Sequence, residues 1–402
     1  MLVFYFFAAL LILQSVISLR GGFHYLSYIR REMEKVEPAF APYASVIAPC
    51  RGLDQGLREN LAALFRQDYP AYEIIFVTDD AQDSSLSVIE SLRREFGASG
   101  HVTSRSVVAG EATAAGQKVH NLRVAVGEAD SKSEVFAFVD SDARPRAGWL
   151  RSLIAPLADE RAGASTGYRW FIPIKGNFAS KLRSVWNASI ASALGAQGDK
   201  NFCWGGSTAI RREMFERARV LEEWEGAASD DFAMMRALRR AGLSIHFAPR
   251  CLTATHEDCG FGELLEFTTR QLKITRVYAK HFWQIVLVSN FLFVLIFFGG
   301  LALAIVRAAL GLSFIAPLAF VVAIFLLGSL KAYLRLRAVS IPLADYRMEL
   351  RRDAFAHLFL WPQASALYLY NALGALLSRR IEWRGITYEL KSPKETVIIK
   401  TV

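Results

Sequence analysis

Two apolar runs joined by a short glycine-bearing turn, residues 282–306 and 312–330, limit what this chain can become. Neither contains a charged residue, and each is long enough for a hydrocarbon layer ~30 Å thick at a helical rise of ~1.5 Å per residue. In that layer no water satisfies the backbone, so the pair reads as a membrane hairpin of two helices. A further run, residues 2–19, ends at Arg20. Its positive charge follows the apolar stretch rather than preceding it, and no small-residue cleavage site closes it; this predicts an uncleaved anchor with its N-terminus outside. The last apolar stretch, 354–377, is interrupted by Pro362 and has arginines on both flanks, which favours a re-entrant or interfacial helix over a crossing.

Between these runs lies too much polar sequence for a simple membrane bundle. Over 402 residues the chain is 53% hydrophobic and 21% charged, which predicts a soluble domain carried on membrane anchors. The formal charge of +9 does not point to nucleic acid, because the basic residues are not gathered into one block. Arg20, Arg30, Arg31, Arg335, Arg337, Arg347, Arg351, Arg352, Arg379 and Arg380 flank the apolar segments, the positive-inside pattern of a cytoplasmic membrane face. The four cysteines form no Cys-x-x-Cys pair and read as reduced thiols. The expected organisation is an anchor (1–20), an interfacial linker (21–43), an α/β domain (44–280), a transmembrane hairpin (281–334), and an amphipathic or re-entrant segment with a cytoplasmic tail (335–402). The expected location is the inner (plasma) membrane, multi-pass, with the α/β domain in the cytoplasm.

From residue 44 to about 249, strand and helix patterns alternate as in a doubly wound sheet. The central strand, 135–139, runs straight into Asp140 and Asp142, and Pro145 prevents its continuation. Ligands of open α/β sheets bind outside the carboxyl ends of the strands, and two carboxylates there suit Mg²⁺ or Mn²⁺ held together with substrate phosphates. An Asp-x-Asp triplet alone reads more often as a solvated turn; its neighbours change the odds. Strand 44–48 delivers the loop Pro49-Cys50-Arg51-Gly52-Leu53-Asp54 to the same edge, and strand 73–77 delivers Thr78-Asp79-Asp80. Asp79 or Asp80 is placed to accept hydrogen bonds from a base or ribose. Gly116-Gln117-Lys118 is a glycine turn into a helix with a lysine positioned for phosphate. Trp204-Gly205-Gly206 offers an exposed aromatic beside backbone that can approach closely, which suits a sugar ring. Ser229-Asp230-Asp231 opens a helix over 232–241. One serine suffices as a cap, and two further acids in the first turn are kept ionised by the helix dipole, ready to accept a proton. His256, alone after the last strand, reads more readily as a loop histidine than as a third metal ligand.

Taken in order, Pro-Cys-Arg-Gly-x-Asp, Arg66 to Ile74 (RQDYPAYEI), Gln-Lys-Val-x-Asn-Leu, Asp-Ser-Asp, Trp-Gly-Gly-Ser, Asp-Asp-Phe and the tail's Trp-Arg-Gly-x-x-Tyr resemble a membrane-bound family 2 glycosyltransferase. More narrowly, they resemble the ceramide glucosyltransferase-like branch, family 21, and bacterial relatives that glycosylate hopanoids and other lipids. The resemblance spans nearly the whole chain. It implies a GT-A (Rossmann-like) domain, a nucleotide-sugar donor, a divalent metal and inversion at the anomeric carbon. It makes Asp79 or Asp80 a contact of the uridine, and Pro49, Arg51 and Lys118 contacts of the donor. Asp140 and Asp142 become the donor and metal ligands, and Asp231 the catalytic base. Trp204, Gly205, Gly206 and Arg270 fall to the sugar or acceptor. One motif departs from the pattern: where relatives carry (Gln/Arg)-x-x-Arg-Trp, Arg270-Gln271-Leu272-Lys273-Ile274 stands here. Lys273 keeps a positive charge for a diphosphate but loses the fork of arginine.

The expected chemistry is an inverting transfer of a sugar, from a UDP-sugar by preference, to the hydroxyl of a ceramide-, hopanoid- or similar lipid at the cytoplasmic leaflet. A processive polysaccharide synthase subunit would share these motifs but needs more membrane helices and the intact Arg-Trp. A non-catalytic membrane binding protein would have no use for acids at several strand ends.

Overall fold

The computed structural model describes residues 1–97 and 100–401, the side chains of Lys400 and Thr401 excepted. The chain divides into two compact units.

The α/β unit comprises Arg31–Ile172, Ala193–Glu257 and the tail from Arg379. Its sheet has seven strands: β1 (Ala44–Pro49), β2 (Tyr72–Thr78), β3 (Val102–Val108), β4 (Val135–Phe138), β5 (Ala162–Ile172), β6 (Thr208–Arg211) and β7 (Ser244–His256), in the order β3-β2-β1-β4-β6-β5-β7. All run parallel except β6, which is antiparallel to both β4 and β5. β2 and β4 are buried at every residue and β1 at all but its last, as expected of strands covered on both faces by crossover helices. The connecting helices Leu57–Phe65, Ser85–Phe96 and Gln117–Gly127 supply that cover. This parallel-dominated α/β sheet is the architecture expected of the GT-A class.

The parallel run fixes where chemistry can occur. In register, Pro49 of β1 lies beside Val77 of β2 and Ile47 beside Phe138 of β4, so Arg51, Asp79 and Asp140–Asp142 leave the sheet at one edge. Because β6 is antiparallel and Thr208 pairs with Phe138, the loop before it, Trp204-Gly205-Gly206, lies at that same edge. β6 is too short and mixed (Thr-Ala-Ile-Arg) to announce itself by periodicity.

The tail forms a second, antiparallel sheet of β8 (Arg380–Trp383), β9 (Ile386–Ser392) and β10 (Glu395–Thr401). Arg384 and Gly385 alone join β8 to β9, at φ 51° and 77°. Two successive left-handed residues make the type I′ turn that matches the twist of a hairpin. Glycine adopts it freely; a non-glycine residue there is uncommon.

The membrane unit comprises Met1–Arg30, Pro173–Ser192 and Asp258–Ser378. Three of its helices are long and apolar enough to cross a membrane: Leu2–Glu34, Lys280–Ala309 and Ile315–Val339. The first continues without a break through residues where the sequence reads a linker, so the helix reaches into the α/β unit's share of the chain. The stretch 354–377 is broken into the helices Ala354–Phe359 and Trp361–Leu377, with Pro362 in the first turn of the second, where its missing N–H costs nothing. The helix Phe178–Ala191, which the sequence reading assigns to the α/β domain, packs in this unit instead: Trp186 stacks on Tyr368 with ring centroids 4.6 Å apart, in a core with Leu264, Leu272, Trp283 and Ala372. The region read as one C-terminal segment, 335–402, is therefore split, its last strands belonging to the α/β unit.

Candidate active site

At the shared strand edge, carboxylates and cations interlock. Lys118, in the first turn of Gln117–Gly127, lies 2.7 Å from Asp140 Oδ1 and 3.2 Å from Asp230 Oδ1. Arg169, from the outer half of β5, reaches Asp140 Oδ2 at 3.1 Å and Asp142 Oδ2 at 2.9 Å. Burial alone would lower the Lys118 pKa, but Asp140 and Asp230 drive it well above the usual lysine range. Burial would likewise raise Asp140, yet Lys118 and Arg169 hold it below the ordinary carboxylate value. For Asp230, 4% exposed, burial wins: with Asp231 and Asp140 adding to it and Lys118 opposing it, its pKa is pushed up to about 6.

Asp230 and Asp231 open the Asp230–Arg240 helix behind the N-cap Ser229. Asp231 Oδ1 accepts from the Ser229 hydroxyl and, at 2.7 Å, from the Phe232 N–H, which fixes the carboxylate at the positive end of the helix. Gly205 is there for space: a Cβ would come within 2.1 Å of Asp230 Oδ2 and 2.7 Å of Lys118 Nζ.

Trp204 does not behave as expected. It is only 7% exposed, with its backbone N–H on the hydroxyls of Thr166 and Thr208 and its ring under the Arg169 guanidinium at 4.8 Å. Buried by two threonine anchors, it supports a cation rather than offering an open face to a sugar.

On the β1–β2 side, Arg51 lies 3.3 Å from Asp79 Oδ2. Pro49 ends β1. The Asp79–Asp80 pair splits: Asp80 is exposed and its carboxylate caps the turn at Gln82 N. Arg270 and Lys273 belong to the membrane unit, on the Phe261–Tyr278 helix. There Arg270 pairs with Glu266 at 3.1 Å, and burial lowers the Lys273 pKa.

Four participants, Asp54, Arg384, Tyr388 and Arg169, have no role assigned from the sequence. Asp54 accepts from Ser141 Oγ at 2.6 Å, tying the β1 loop to the residue between Asp140 and Asp142. Arg384, from the tail turn, grips Asp54 Oδ1 at 2.8 Å and donates to the Arg51 carbonyl at 2.7 Å. Tyr388 takes up the first N–H of the Lys118 helix, Gln117 N to Oη at 3.2 Å. The tail is also fastened beyond the turn: Thr396 donates to the Gly226 carbonyl at 2.8 Å and Lys394 lies 2.9 Å from Glu223. The signal for Arg169 lies in the sequence, since a charge between Tyr168 and Trp170 on a buried strand demands a carboxylate.

The acids fit a hard cation in part. Asp142 Oδ1 is buried with no hydrogen-bond partner among the described residues, as is Asp79 Oδ1, whereas Lys118 and Arg169 take both oxygens of Asp140. Among the described residues no group of three or more His, Cys, Asp or Glu is arranged to hold a metal. That fits Mg²⁺ or Mn²⁺, which keep waters and substrate oxygens beside one or two protein carboxylates.

Residues 9–396 match the family described as glycosyl transferase family 21. Over 95 residues the chain is 30% identical to ceramide glucosyltransferase 1 of Caenorhabditis elegans, a match covering 23% of this chain and 20% of that protein's length. Among solved structures it is similar to a mannosyltransferase from Pyrobaculum calidifontis in complex with GDP-Man and Mn²⁺, at 18% identity and a TM-score of 0.47, covering 92% of this chain and 99% of that one. GalNAc-T7 with UDP, GalNAc and Mn²⁺ follows at 13% identity and 0.41, covering 60% of this chain and 48% of that one.

Proposed function

Because the chain belongs to glycosyl transferase family 21, we propose that its carboxylate–cation cluster transfers a sugar from a UDP-sugar to the hydroxyl of a membrane lipid, with inversion. The observation that carries this reading is the meeting of Asp140, Asp142, Lys118, Asp230 and Arg169 at one strand edge beside a helix opened by Asp231.

In the reaction, the acceptor oxygen forms a bond to the anomeric carbon from the face opposite the nucleoside diphosphate. The bond from that carbon to the phosphate oxygen breaks, and its electron pair leaves with the diphosphate. Asp231, fixed at the helix N-terminus by the Ser229 hydroxyl and the Phe232 N–H, takes the acceptor's proton as general base. Charge building on the leaving group is the electrostatic problem, and fixed cations aimed at it are the usual solution. Lys118 and Arg169 are held in place by their carboxylates, and Arg384 adds a third cation with a guanidinium fork suited to phosphate oxygens. Asp79 and Arg51 line the nucleotide side. Asp142, with Asp140 behind it, would hold the metal, which when bound supplies Lewis-acid neutralisation of the diphosphate. Membrane helices in the same chain favour a lipid acceptor, a ceramide, hopanoid or similar alcohol, taken from the inner-membrane leaflet facing the cytoplasm.

Mass spectrometry of lipids from cells with and without the gene tests the reading, paired with purified protein, the extracted lipid and a panel of UDP- and GDP-sugars. A lipid heavier by one hexose, made only with the gene and only from one nucleotide sugar, is expected. No difference in lipid-linked sugar, with every donor left intact in the test tube, sinks it.

A further inference from the structure

Where the Ile315–Val339 helix ends, the membrane unit gathers positive charge that it does not neutralise. Lys331 and Arg335 sit one turn apart on one face of the helix. Arg335 is 9% exposed, its Nε has no hydrogen-bond partner among the described residues, and Lys331 Nζ donates to Ser18 Oγ at 2.5 Å. Among the described residues, the groups that interact electrostatically with Arg335 include Tyr25, Tyr368, His357 and Lys331, and Arg335 forms no ion pair with a carboxylate. On another face of the same helix opens a cleft of about 810 Å³, rimmed by Arg30, Arg337, Arg347 and Arg351 and floored by apolar side chains that include Leu336 and Leu350. Among the described residues no acidic side chain lines it. Arg337 donates to the Tyr333 hydroxyl at 3.0 Å, and among the described residues none of the four arginines pairs with a carboxylate.

Like charges held together with no counter-ion repel, and the repulsion is strongest where lipid displaces water. Depth identifies the missing anion. At ~1.5 Å per residue, Arg337 lies ~33 Å along the helix from Ile315, just past a hydrocarbon core of ~30 Å and so at the level of lipid phosphates. Guanidinium groups pair with phosphate through a two-pronged hydrogen-bonded fork, and the apolar floor suits acyl chains. Water-soluble phosphate would use the rim and leave the floor bare.

We propose that this cleft binds an anionic phospholipid, its phosphate held by Arg337, Arg347 and Arg351 and its chains laid against Leu336 and Leu350. The site is separate from the sugar-transfer reading and stands or falls without it.

The test uses full-length protein in detergent, stripped of loose lipid and given phosphatidylglycerol, phosphatidylcholine or inorganic phosphate. Native mass spectrometry and melting temperature are the readouts. Phosphatidylglycerol should remain bound through stripping and raise the melting temperature by several degrees; phosphatidylcholine and inorganic phosphate should do neither. Replacing Arg337, Arg347 and Arg351 together by Gln should cut retained phosphatidylglycerol at least tenfold, while the triple Lys variant, which keeps the charge, should retain an intermediate share. Equal retention of phosphatidylcholine would overturn the proposal, as would an unchanged level in a Gln variant that elutes as a single species. If the Gln variant aggregates, the Lys variant and the parent's choice between the two lipids decide the matter. Stabilisation by inorganic phosphate alone would make this an anion site and overturn the lipid assignment.

Discussion

In the α/β unit Lys118 and Arg169 are each met by two carboxylates, whereas in the membrane unit Lys331 and Arg335 interact with a hydroxyl, phenols and a histidine and, among the described residues, pair with no carboxylate. Both regions set cations into surroundings poor in water. The first supplies its own counter-charge, so its cations are in position before any substrate arrives. Such preorganisation is what a reaction with a charged leaving group requires, because nothing has to be reoriented as the charge develops. In the second no carboxylate among the described residues balances the charge, and the proposed phospholipid site opens on another face of the same helix. Internal neutralisation thus marks the place built for turnover, and its absence marks a place built for occupancy.

The hardest blow to that contrast is Asp231→Asn, which leaves every ion pair of the cluster intact and removes only a proton acceptor. Turnover should fall ~10²–10⁴-fold with donor affinity held, as general-base loss implies. A parental rate in this variant beside a dead Asp230→Asn enzyme would move the base to Asp230. Asp142→Asn should come next, raising the donor KM as well as lowering kcat, because it removes the negative charge behind the Asp142 oxygen that has no partner among the described residues. Activity of the parent should also vanish in EDTA and return with Mn²⁺ or Mg²⁺; full activity in EDTA would remove the metal from the mechanism. Arg384→Gln should cost about 10–150-fold in kcat/KM, the worth of one charge-assisted hydrogen bond at about 1.5–3 kcal/mol. Arg384→Lys should recover part of it, and a loss confined to melting temperature would reduce Arg384 to a fastener.

The smallest effect concerns pH. Asp230 has its pKa raised by burial from 3.8 to about 6. A carboxyl raised on folding favours the folded state while protonated. That contribution is full below about 3.8 and is lost as pH rises through about 6. Melting curves of parent and Asp230→Asn should therefore diverge between pH 4 and pH 7, the variant gaining on the parent as pH rises. A gain in the opposite direction would show Asp230 ionised and stabilising throughout.

Much of this was legible in the residues. The β-branched runs of β1, β2 and β4, each emptying into polar loops, place Arg51, Asp79, Asp140 and Asp142 at one edge because parallel strands share their carboxyl ends. The membrane helices follow from charge-free length. What stayed hidden is tertiary. Nothing local says that the four residues of β6 wedge antiparallel between β4 and β5, or that Trp204 turns inward onto Arg169. The Phe178–Ala191 helix shows an apolar face without showing which unit receives it. The tail is the largest miss. Arg384-Gly385 between alternating apolar residues signals a hairpin, but that the hairpin closes on Asp54 depends on contacts more than 300 residues apart in sequence.

Those contacts also set a schedule. Asp142 leaves the ribosome well before the membrane helices Lys280–Ala309 and Ile315–Val339, and Arg384 and Tyr388 follow both. At roughly 5–20 residues per second, tens of seconds separate Asp142 from the arginine that grips Asp54 in the neighbouring loop. Throughout that interval the growing chain holds the strand edge but not its clasp. The carboxylate–cation cluster is thus synthesised ahead of both of those helices, and only the tail that clasps the Asp54 loop must wait for them.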